Sequence, residues 1–159
     1  MAEYLSHIKM IIGEYKQRIN EKNRIAFPKK FREELGDALI ITKGYEGCLV
    51  IMSPDQWEKI IADSTSGPFV SGIVRDTSRF LLASASELQL DSQGRFVVPS
   101  FLIDYAEIKV EGTFLGLGRW VELWGNDKWE LKKKEVEENS SEVGEKLSKI
   151  SISDNGGKS

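Results

Sequence analysis

A chain that contains the same turn twice is constrained to bring two like pieces of structure together. Asp91-Ser92-Gln93-Gly94-Arg95-Phe96-Val97-Val98-Pro99 answers to Asn20-Glu21-Lys22-Asn23-Arg24-Ile25-Ala26-Phe27-Pro28, with 71 residues between equivalent positions. Each copy opens on a short polar residue able to cap a turn and sets Gly94 or Asn23 directly before an arginine. Glycine enters the left-handed backbone region freely and asparagine is among the most tolerant of the other residues, so the two copies predict the same turn. Three residues of strand character follow, and the proline then ends pairing and suits a helix start. Asn20, Asp91, Gly94 and Arg95 form the structural signature of the repeated unit.

The repetition extends beyond the turn. Trp57 and Trp129, like Cys48 and Trp120, are 72 residues apart, one residue more than the turns. The first half reads as strands over Glu14–Asn20 and Arg24–Phe27, a helix over Lys29–Leu35 stopped by Gly36, and a hairpin of Ala38–Thr42 and Cys48–Met52. A helix then starts at Ser53-Pro54 and runs to about Ala62. Phe69–Ala85 reads as a helix joining the halves. The second half repeats the plan: strands Glu87–Leu90 and Arg95–Val98, helix Ser100–Ala106, hairpin Lys109–Leu115 and Trp120–Trp124, and a closing helix capped by Asn126. The expected division is a leader over 1–9 with Met10 as an alternative start, a first unit over 10–63, a linking helix over 64–84, and a second unit over 85–131. A charged helix and a disordered tail follow over 132–159, the tail from Ser151.

The expected fold class is α+β, two tandem pseudo-symmetric hairpin-and-helix units forming a compact β-barrel-like core with helices outside. No stretch has the length of an apolar membrane span, and the single cysteine, Cys48, excludes an intrachain disulfide. These features predict a cytoplasmic protein with no membrane partner. Catalysis finds no residues to carry it: the sole histidine, His7, lies in the leader, Cys48 falls in an apolar strand, and no metal-ligand cluster or phosphate loop is present. Gly116-Leu117-Gly118 resembles the opening of a glycine-rich loop but falls at a hairpin turn. The expectation is therefore no enzyme, no cofactor, no metal and no small-molecule substrate. Trp57, Trp120, Trp124 and Trp129 read as core or subunit-contact residues and Cys48 as a buried small residue.

Charge separates the halves. The segment 14–32 holds Lys16, Arg18, Lys22, Arg24, Lys29, Lys30 and Arg32 against Glu14 and Glu21, a net of +5, whereas 85–103 has a net of −1. Lys16 and Arg18 project from one face of a strand, Lys22 and Asn23 occupy the turn that Arg24 follows, and Lys29, Lys30 and Arg32 open a helix. Cations beside free backbone N–H groups suit phosphate. Exposed charge runs are as readily solvated faces, so the cluster alone leaves both readings open. Arg95 reads as a brace paired with Asp91. Arg24, lacking a carboxylate at position 20, reads as freer to meet an outside anion.

These residues resemble the MraZ family, built from two units related to the AbrB/SpoVT swapped-hairpin fold. The likeness rests on Met10-Ile11-Ile12-Gly13-Glu14-Tyr15, the Asp-x-x-x-Arg signature at Asp91 to Arg95, Cys48-Leu49 with Trp57-Glu58, and Phe80-Leu81 to Ser84-Ala85-Ser86-Glu87. Val121-Glu122-Leu123-Trp124 with Trp129 completes it, over about residues 10–131. The resemblance implies ring-shaped homo-oligomers that bind short direct repeats in double-stranded promoter DNA upstream of the division and cell-wall gene cluster, mainly as repressors. It places DNA contact on Arg24 with Lys22 and Asn23. The chain departs from the family pattern at Asn20, Asn23 and Ile103, where aspartate, glycine and arginine are usual. The expected function is a nucleoid-associated, sequence-specific transcriptional regulator. The alternatives are an AbrB/SpoVT-type antitoxin or transition-state regulator, and a ring-forming protein that does not bind DNA.

Overall fold

The computed structural model describes residues 11–156. His7, the leader and the alternative start at Met10 lie outside the described residues. Of the described residues, those up to Asn126 form one compact unit, and those from Asp127 form another.

The first unit carries eight strands: β1 (Ile12–Arg18), β2 (Arg24–Ala26), β3 (Ala38–Lys43), β4 (Leu49–Met52), β5 (Ser86–Gln89), β6 (Arg95–Val97), β7 (Glu111–Leu117) and β8 (Val121–Gly125). Its helices are α1 (Lys29–Leu35), α2 (Pro54–Thr65), α3 (Gly72–Leu81) and α4 (Ser100–Ala106). Six strands make one antiparallel sheet in the order β1-β7-β8-β4-β3-β5, and β2 pairs with β6 as a separate ribbon. That order maps onto itself when each strand is exchanged for the one four places along. β1 leaves its own half to pair with β7, β5 leaves its own to pair with β3, and the hairpins meet at β4 and β8.

The fold class is α+β, but the expected barrel does not form. The sheet ends at β1 on one side and β5 on the other. A barrel needs those edges to pair, and the chain between them, the ribbon of β2 and β6, meets the end of β1 only through the isolated Ile19–Ile25 bridge and does not close the sheet.

Alternation explains the placement of the ribbon. Ile25 and Phe96 point inward and are buried, and the same core holds Phe27, Phe31, Leu102 and Phe114. Phe27 meets Phe114 edge-on with ring centroids 5.6 Å apart, the geometry favoured by aromatic quadrupoles. The outward residues of the ribbon are Arg24 and Ala26 on β2, Arg95 and Val97 on β6. Gly116 lies within β7 rather than in the hairpin turn. A Cβ there would fall 2.6 Å from the Ile12 nitrogen, so glycine is what lets β1 lie against β7.

Several local expectations shift. The joining helix is only Gly72–Leu81, with Ser71 accepting from Val74 N–H as its cap. Asn126 begins the closing helix, but its Oδ1 accepts from the Thr113 hydroxyl at 3.1 Å instead of being spent on helix N–H groups. Beyond it run α5 (Asn126–Glu138) and α6 (Ser140–Gly156). The tail expected to be disordered from Ser151 is thus helical to Gly156. Extending a formed helix adds one hydrogen bond for each residue fixed, whereas nucleation fixes three for the first. Trp124 is buried, as is Cys48, while Trp57 and Trp120 line an apolar cavity of about 370 Å³ with Met52, Ile60 and Leu81.

Candidate nucleic-acid interface

The two turns have one hydrogen-bond plan. In the first, Asn20 Oδ1 accepts from the N–H groups of Lys22 (3.0 Å) and Arg24 (2.9 Å), and the Asn20 N–H donates to the Arg24 carbonyl at 3.0 Å. In the second, Asp91 Oδ1 accepts from the N–H groups of Gln93 and Arg95, both at 2.9 Å, and the Asp91 N–H donates to the Arg95 carbonyl at 2.9 Å. Asn23 has φ +59° and Gly94 φ +77°, the left-handed conformation that short polar residues and glycine tolerate best.

The plans part at the second side-chain atom. Asp91 Oδ2 accepts from Arg95 Nε at 3.0 Å. Asn20 has an NH2 group in that place, which donates and cannot accept from a guanidinium. Hydrogen bonds from the turn and the Arg95 guanidinium hold the Asp91 carboxyl below its ordinary pKa, the Arg95 backbone N–H contributing most.

Ribbon pairing then sets the arginines side by side. Arg24 lies opposite Val97 and Ala26 opposite Arg95, so both guanidinium stems leave the same face on neighbouring strands. Arg18, Asn20, Glu21, Arg24, Ala26 and Arg95 line one open cleft. Lys16 shares the exposed face of β1 with Arg18, while Lys22 sits on the turn. Lys29 and Lys30 are exposed beyond Pro28 and do not line the cleft. Among the described residues, Lys16, Arg18, Lys22, Arg24, Lys29 and Lys30 have no ion-pair partner.

Arg32 differs from the other six. Its Nε donates to Asp37 Oδ1 at 2.7 Å and its Nη2 reaches the Asp91 carbonyl at 3.4 Å. The hydrogen bond to Asp37 raises the Arg32 pKa and lowers that of Asp37. Nor are the N–H groups at the start of α1 all open, since those of Phe31 and Arg32 donate to the Pro28 carbonyl at 3.0 and 3.1 Å. Sequence reasoning assigned Arg95 to bracing alone and missed its place in the cleft. The duplicated turn held a signal for it, because equivalent arginines on paired strands must share a face.

Among the described residues no group of three His, Cys, Asp or Glu side chains is placed to hold a metal ion. No helix among them is long and apolar enough to cross a membrane.

Comparison with known proteins supplies the class. The transcriptional regulator MraZ of Clostridium acetobutylicum is 40% identical over 144 residues, covering 90% of this chain and all of the relative. That of Syntrophomonas wolfei is 38% identical over 143 residues with the same coverage, and that of Caldanaerobacter subterraneus 36%. These relatives are named as transcriptional regulators, and the chain falls in their class. The family model of the MraZ protein, described as antitoxin-like, matches twice, at residues 10–80 and 81–149. The chain belongs to the MraZ family.

Proposed function

We propose that this chain is a sequence-specific DNA-binding regulator, acting mainly as a repressor of the division and cell-wall gene cluster. It binds short direct repeats as a ring-shaped homo-oligomer in the nucleoid, without catalysis or a cofactor. The single observation that supports this most is the set of six cations on β1, the first turn, β2 and the start of α1 that have no ion-pair partner among the described residues. Arginines and lysines that fold stability does not engage are available to phosphate oxygens and base edges. An antiparallel two-stranded ribbon is also of a size that the DNA major groove admits.

In this reading Arg24 is the base-reading residue, since a guanidinium can grip guanine O6 and N7 in a bidentate manner. Lys16, Arg18, Lys22, Lys29 and Lys30 contact phosphate, Asn23 shapes the turn, and Arg32 holds α1 against the second turn. The two family-model matches, over 10–80 and 81–149, support a repeated sequence; within it the reading keeps a first unit over 10–63, a linker over 64–84 and a second unit over 85–131. A ring multiplies one weak contact into avidity for spaced repeats. Selection of bound fragments from genomic DNA at physiological salt tests the reading. It should recover a promoter with direct repeats, and affinity should fall linearly with salt on log–log axes, as counterion release requires. Recovery of no fragment, or a flat salt response, overturns it.

A further inference from the structure

The cleft holds two arginines that differ in one respect. Arg95 is braced by Asp91, while Arg24, at the matching place in a turn with the same backbone hydrogen bonds, has no brace among the described residues. We propose that residues 20 and 91 set the sequence discrimination of the ribbon: Asp91 aims Arg95 as a second, fixed DNA contact, and Asn20 leaves Arg24 free to swing and therefore tolerant of more than one partner. The inference rests on the DNA-binding reading above and adds a contact and a specificity rule to it.

The brace leaves Arg95 usable. A guanidinium has five N–H donors, and Asp91 takes the one on Nε. The two Nη groups keep the parallel pair of donors that matches a guanine edge or a phosphate. The Arg95 side chain is 40% exposed, and it shares the cleft with Arg18 and Arg24. Its stem leaves the ribbon beside Ala26, a side chain too short to cover it.

Orientation has a consequence for reading. A long side chain that is already aimed loses less rotamer freedom when it binds. It also resists re-aiming at a wrong base, so a mismatch leaves its donors unpaired. An unbraced arginine swings to the nearest acceptor, a phosphate included, and discriminates less. The amide of Asn20 cannot be turned to serve as a brace without loss, because both turn N–H groups already bind its oxygen.

The turns supply their own controls, since aspartate at 20 and asparagine at 91 are each the residue that the other turn already accommodates. The test uses the full chain and a duplex enriched from random-sequence DNA by the wild-type protein. The readout is its affinity relative to a scrambled duplex of equal length. Asn20→Asp should raise that ratio about three- to ten-fold, and Asp91→Asn should lower it by a similar factor. Arg95→Ala should weaken binding to the enriched duplex. In 15N spectra of the free protein, the Arg24 Nε–H should exchange rapidly with water, and Asn20→Asp should slow it to resemble Arg95. A ratio that Asn20→Asp leaves unchanged or lowers overturns the inference while the regulator reading stands. If the wild-type protein enriches no sequence, that reading falls and takes the inference with it.

Discussion

The backbone N–H of Phe27 donates to the carbonyl of Gly94 at 2.8 Å. The reciprocal bond, from Val98 N–H to the Asn23 carbonyl, is also 2.8 Å. Each left-handed turn residue therefore accepts from the strand end of the other copy, and the two turns are locked together. Arg24 is consequently positioned by residues 70 or so places distant as well as by its own turn.

Truncating Arg24 should separate reading from attraction. Arg24→Ala is expected to cost about 1–3 kcal/mol of binding free energy and to relax sequence preference, whereas Lys29→Ala should weaken binding to all duplexes alike and flatten the salt dependence by about one unit. Titration of matched and scrambled duplexes over a salt series measures both. Equal operator affinity for Arg24→Ala and wild type would remove Arg24 as the reading residue.

Acid should loosen the second turn through Asp91. Its carboxyl titrates below its ordinary value in the folded chain, so the stabilisation is present above the unfolded pKa, about 3.9, and is lost as pH falls through the depressed folded value. Thermal melts of wild type and Asp91→Asn across this range should differ most near neutrality and converge in acid. A difference that does not shrink would show that the carboxylate charge is not what matters.

Cys48 should resist thiol reagents in the native protein. Burial, reinforced by the charges of Glu122 and Glu46, pushes its thiol pKa up to about 12, so almost no thiolate exists at pH 8. Labelling should be slow in buffer and fast in denaturant, a contrast that a single absorbance assay resolves.

Gly116→Ala should lift β1 off the sheet. The new Cβ would lie 2.6 Å from the Ile12 nitrogen and 2.7 Å from the Ile11 carbonyl carbon, backbone atoms that cannot rotate away. Overpacking of this kind costs about 1–3 kcal/mol, which equilibrium denaturation would report. Gly118→Ala, at φ +86° and with no described atom beyond its chain neighbours within 4 Å of its Cβ, separates backbone strain from crowding.

Local chemistry was legible in residue order alone. The helix over Lys29–Leu35 and its stop at Gly36, the helix over Ser100–Ala106, and the left-handed conformation at Asn23 and Gly94 all follow from neighbours a few places apart. So does the contrast between Asn20 and Asp91, because one atom of a side chain decides whether it can accept from an arginine. Strand exchange was another matter. β1 and β5 read alike, and their hydrogen-bonding groups would fit either hairpin. Only burial of the shared core decides that β1 pairs with β7 and β5 with β3, leaving the sheet open. The same global packing brings Arg32 to the Asp91 carbonyl and sets Arg95 beside Arg24. Those relations span most of the chain, and side-chain periodicity carries no information about which distant partner a strand will choose.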